Sequence, residues 1–141
     1  MQAKTRLGLT VVGLLAVVMV TSSAQAQGGT PEVCMTPDLV AVPTQVVACT
    51  LRNAYAYGTM DVVQFELLDG LGRLLRSNPP SKLQPLSALA IDYNITPSDP
   101  GPFSCRVTVL ETVPGYVRAA IHRLDTTGAT VSGFPAQCNP F

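Results

Sequence analysis

The 141-residue chain balances nine basic against nine acidic side chains, and only 13% of it is charged. It therefore lacks the basic footprint of a nucleic-acid binder and any polybasic stretch for anionic membranes. Twelve prolines and eleven glycines interrupt a 47% hydrophobic content, which argues for short strands and turns rather than long helices.

The chain opens with Lys4 and Arg6, an apolar run from Leu7 to Val20, and the small residues Ala24 and Ala26. That order predicts a secretory signal peptide over residues 1–26, cleaved after Ala26. The apolar run is shorter than the roughly 20 residues a spanning helix needs, so the membrane is met only during export. Cleavage leaves 115 residues with seven basic and nine acidic side chains, one domain of ordinary size. The expected location is the periplasm or the cell exterior. Residues 27–45, rich in Gly, Pro and Thr, read as a flexible leader, with the folded domain over 46–141.

Period-two runs follow. Val46–Asn53 places Val47, Cys49 and Leu51 on one face. In Asp61–Leu68, Gln64 and Glu66 alternate with Val63, Phe65 and Leu67, which predicts one buried and one wet face. Arg73–Arg76 is a short return strand that ends before Asn78-Pro79-Pro80. Leu86–Ile95 aligns Leu89, Ile91, Tyr93 and Ile95; Phe103–Val109 aligns Phe103, Cys105, Val107 and Val109. A last hairpin runs from Tyr116 to Arg123 and back over Thr130–Ser132. Asp69-x-x-Gly72 and Asp125-x-x-Gly128 share one turn chemistry: Asp accepts from the turn backbone and Gly takes the positive φ after a type I turn. About seven short strands at this spacing predict an all-β, antiparallel immunoglobulin-like or fibronectin-like sandwich.

Four cysteines survive cleavage, and export places them where disulfides persist. Three pairings are open to them. Cys49 and Cys105 each sit mid-strand in the inward phase, placed to bridge two sheets, and closing that loop stabilises by about 4 kcal/mol. Cys34 and Cys138 then fasten the two ends of the domain. There is no CxxC spacing and His122 stands outside any ligand motif, so neither a metal nor another cofactor is expected.

Candidate chemistry is sparse. His122 reads as a solvated sheet histidine with no partnered nucleophile, and Ser104 and Ser132 lack an elbow setting. Glu66 and Asp92 read as wetting carboxylates, with a glycosidase-like pair as the sharper alternative. Arg106, Arg118 and Arg123 suggest an outward polar stripe. Tyr55 and Tyr57 share a face of an extended segment, where paired tyrosines stack on sugars or anchor a protein. No catalytic residue is assigned.

Ala48–Asn53, Val63–Asp69 and Gly72–Leu75 resemble the front half of a family of small exported bacterial β-sandwich proteins of unassigned role. Phe103–Val107, Tyr116–Ile121 and Phe134–Gln137 resemble the back half. The resemblance covers about 90 residues, leaves Cys34 and Cys138 outside its pattern, and implies a secreted or periplasmic sandwich with no activity attached. The leading expectation is thus an exported, non-enzymatic binding or structural module with a protein or glycan partner. The runner-up is a subunit assembled by β-strand addition through residues 27–45 or an exposed edge, and the third reading is a secreted hydrolase.

Overall fold

The computed structural model describes residues 30–111 and 115–140. The predicted signal peptide over 1–26, residues 27–29 and Phe141 lie outside the described residues. Alternating apolar and polar side chains build ten antiparallel strands, and no helix occurs among the described residues. The strands are β1 (Thr30–Met35), β2 (Val46–Asn53), β3 (Met60–Leu68), β4 (Leu74–Asn78), β5 (Ser81–Leu83), β6 (Ala88–Asn94), β7 (Ser104–Glu111), β8 (Val117–Leu124), β9 (Thr130–Pro135) and β10 (Gln137–Pro140). One sheet runs β10-β1-β7-β3-β4, with β5 also on β3, and the other runs β6-β2-β8-β9.

The two sheets bury their inner faces against each other. Val47, Cys49 and Leu51 of β2 and Ile121 of β8 meet Phe65 and Leu67 of β3 and Val107 of β7 in one core. The all-β sandwich expected from period two is thereby observed. Both disulfides are present in the expected pairing. Cys49–Cys105 crosses between the sheets from β2 to β7, while Cys34–Cys138 joins directly opposed positions of β1 and β10 within one sheet.

Three strands exceed the expected seven: β1, β5 and β10. The stretch read as a flexible leader over 27–45 is corrected from residue 30 onward. Thr30–Met35 is hydrogen-bonded to β7 on one side and β10 on the other, and Leu39 bridges Phe103. Pro31 does not prevent this, because the ladder to β10 begins only at Glu32, so the missing proline N–H faces no neighbour there. Cys34 and the buried side chains of Glu32, Thr36 and Leu39 anchor the segment. Val63 is a second correction. It was expected inside, but it is 45% exposed while Val62 is buried, because the β3·β7 register shifts between Val62 and Gln64. That bulge inverts the alternation at one end of β3.

The two Asp-Gly turns are equivalent down to their bulges. The Asp69 carboxylate accepts from the Leu71 and Arg73 amides at 2.8 and 2.9 Å, and that of Asp125 from Thr127 and Ala129 at 2.8 and 3.0 Å. Gly72 and Gly128 have φ of 75° and 82°, and each hairpin shifts register just after its turn. Burial works against ionisation of Asp69, but the Arg73 amide, its guanidinium and the Leu71 amide outweigh it and hold the carboxyl below the usual range. The Thr127 hydroxyl and the turn amides lower Asp125 likewise.

Candidate partner-contact site

Three connections meet at one end of the sandwich: β2 to β3, β5 to β6, and the approach to β8. The ladders fix this, since Asn53 at the end of β2 opposes Val117 at the start of β8, Arg52 opposes Ala88, and Met60 opposes Leu83. Asn53 continues the inward phase of Val47, Cys49 and Leu51 and is only 1% exposed. Its side-chain amide donates to the Gly58 carbonyl at 2.8 Å and to the Leu83 and Gln84 carbonyls at 3.3 Å each. Its oxygen accepts from the Tyr55 amide at 2.9 Å. One buried amide therefore binds two of the three connections together. The third is tied to the first where the Ala54 amide donates to the Tyr116 carbonyl at 2.9 Å.

On this frame sit three tyrosines. Tyr55 meets Tyr57 edge-on, with ring centroids 5.9 Å apart, and meets Tyr116 at a tilt, 4.9 Å apart. Both are favourable aromatic geometries. Tyr57 is 90% exposed at the outer edge of the cluster. Leu86, in the connection held by Asn53, is also exposed and has a left-handed φ of 57°, a conformation that costs a non-glycine residue of order 1 kcal/mol.

Tyr55 and Tyr57 are thus brought together as the sequence suggested. Tyr116 joins Tyr55 from 61 positions along the chain, across a ladder that periodicity alone did not specify. Asn53 was missed, although a polar residue continuing an inward alternation was the available signal.

The other candidates disperse. Glu66 is on β3 and Asp92 on β6, so they belong to different sheets and form no carboxylate pair. Glu66 instead accepts two bonds from Arg106 at 3.0 and 2.6 Å. Arg118 and Arg123 lie on β8 in the opposite sheet from Arg106 and turn to backbone carbonyls, so no arginine stripe forms. His122 Nε2 lies 3.1 Å from the Thr50 hydroxyl, and its buried Nδ1 has no hydrogen-bond partner among the described residues. A Glu32 carboxylate oxygen lies within 4.8 Å of the Cys34 and Cys138 sulfurs, but these sulfurs are bonded to each other and offer no thiolate to a metal.

Among the described residues no helix is long and apolar enough to cross a membrane. The two disulfides fit an oxidising, non-cytoplasmic environment. No protein-family model, curated protein or solved structure matches the chain.

Proposed function

We propose that the protein is an exported, non-enzymatic sandwich that binds a protein or glycan through its tyrosine-bearing end. The observation that carries this reading is Tyr57, a ring 90% exposed on a loop pinned by a buried amide. Leaving a large aromatic ring in water forgoes roughly 2 kcal/mol of burial, and a fixed backbone spares a partner the cost of ordering it. Rigid tyrosines on loops at the end of a sandwich are a recurrent recognition device. The basic, apolar and small-residue order of residues 1–26 supports secretion to the periplasm or beyond.

An immunoglobulin-like plan is part of this proposal. It is supported by β2 pairing β6, β3 pairing β7 in the other sheet, and a disulfide from β2 to β7. The departure from that plan is β8, which crosses to β2 instead of lying beside β7.

A photoreactive benzoylphenylalanine at position 57 tests the reading in the exporting cell. A discrete adduct is expected there and none from position 71, in the turn at the opposite end. A glycan partner instead changes tyrosine emission on titration with cell-surface polysaccharides, a signal left clear by the absence of tryptophan. Identical adducts at both positions, or neither an adduct nor an emission change, would defeat the proposal.

One observation favours a second reading, assembly with copies of itself by strand addition. Residues 32–35 are already paired on both sides, and Thr30 and Pro31 on one, so the segment is no free donor. The outer strands β4, β5 and β6 carry Arg76, Lys82 and Asp92, and β10 is four residues long and ends in proline. β9 has no charge, and its Val131 and Phe134 are exposed. An uncharged edge of this kind, blunted only by the terminal Pro135 and a bulge near Thr130, invites pairing. Sedimentation at rising concentration decides: oligomers lost in Phe134→Lys support it, and a wild-type monomer throughout removes it.

A further inference from the structure

The two disulfides occupy unlike surroundings. Cys49 and Cys105 are both sealed in the core between the sheets. Cys34 is equally buried, but Cys138 is only half-buried on the outermost strand of its sheet. Cys138 also lines a surface cavity of about 390 Å³, shared with Glu32, Val117, Arg118 and Pro135. β10 itself is four residues long and has a ladder on one side only.

We propose that Cys138 is a thiol–disulfide exchange site for a dithiol reductant. This does not rest on the tyrosine-bearing end. A thiolate of the reductant attacks Cys138 Sγ. A new S–S bond forms to that sulfur as the Cys34–Cys138 bond breaks, and Cys34 Sγ leaves with the electron pair. The second thiolate of the reductant then closes its own disulfide and releases Cys138. The two cysteine sulfurs take protons from water; the protein disulfide is reduced by two electrons and the dithiol is oxidised by two. Attack falls on Cys138 because exchange requires access to the sulfur, and Cys34 is sealed. The Glu32 carboxylate lies within 4.8 Å of both sulfurs, so its negative charge opposes a thiolate leaving there and slows the exchange. With the bond open, β10 is held only by its four-pair ladder and the packing of Cys138 against the core among the described residues, and its release uncovers the outer edge of β1.

The test is graded reduction of the purified native protein with dithiothreitol, without denaturant, followed by alkylation and peptide mapping. Cys34 and Cys138 are expected to become alkylated together at a rate about tenfold or more above that of Cys49 and Cys105. Hydrogen exchange is expected to rise over residues 137–139 and 32–35 while the core stays protected. Glu32→Gln is expected to speed the opening several-fold. If both bonds open together at the rate of global unfolding, or Cys49–Cys105 opens first, the proposal is overturned. An unchanged or slower Glu32→Gln variant removes the role given to that carboxylate, and the wild-type map stands as the test should that variant not fold.

Discussion

Asn53→Ala is the most informative single substitution. The wild-type amide makes two short bonds, to Gly58 at 2.8 Å and from Tyr55 at 2.9 Å, and two longer ones to Leu83 and Gln84. Each short bond contributes about 1 kcal/mol net. Truncation also removes the two longer bonds, to the Leu83 carbonyl in a buried setting and to the more exposed Gln84 carbonyl, at a further cost of about 1 kcal/mol between them. The sum is about 3 kcal/mol, or roughly 10 °C in Tm for a domain of this size. Urea unfolding followed by far-UV circular dichroism, with both disulfides intact, measures it. Near-UV dichroism of the tyrosines without urea reports the local effect, since Tyr55 hangs from this amide. Asn53→Asp is expected to be worse than alanine, because it keeps the acceptor for Tyr55 but points a carboxylate at three carbonyls. A loss under about 1 kcal/mol with an unchanged tyrosine spectrum, or an aspartate more stable than the alanine, would refute the pinning role.

Other outcomes follow from the same structure. Thr96 amide and hydroxyl bonds and the Tyr93 hydroxyl hold Asp99 below the usual carboxylate range despite burial, as the turn contacts hold Asp69 and Asp125. A carboxyl lowered on folding contributes stability above its unfolded value, about 3.9, and that contribution fades as pH falls through the folded value. The urea midpoint is therefore expected to decline below about pH 4, and Asp69→Asn with Asp125→Asn is expected to flatten that decline. Gly133→Ala is expected to cost about 1–3 kcal/mol, because the new methyl would meet the His122 ring, whose other nitrogen is engaged by Thr50. His122→Ala should recover most of that cost, and additive losses in the double-mutant cycle would contradict the contact. Val62→Asp should abolish folding while Val63→Asp costs under about 1 kcal/mol, the reverse of what unbroken alternation implies. Thermal melts of the two variants separate these cases.

The elements legible in the sequence are those governed by local physics. Inward alternation in β2 and β7 identified the core faces and the bridge between the sheets, and Asp and Gly three positions apart identified both hairpins. β1 and β10 were illegible because prolines and glycines dominate their surroundings. Their pairing depends on each other and on a bond between residues 104 positions apart. The phase of Val63 was lost to a bulge, which is decided across the ladder and not along the strand. At the site, Tyr55 and Tyr57 were visible as neighbours. Tyr116 was not, since only the β2·β8 register brings it over, and Asn53 passed unnoticed because its partners are backbone groups of distant loops.

The bond between Cys34 and Cys138 also decides how the molecule answers force. Tension that enters ahead of residue 34 and leaves beyond residue 138 runs through two sulfur atoms, so the sandwich in between is a slack loop that carries no load. While that link holds, the protein is a short, stiff coupling between whatever grips its two ends. Once it is cut, the same pull falls on the ladders, and because Cys49–Cys105 still bypasses 56 of the 104 positions, the freed chain can pay out to about 160 Å.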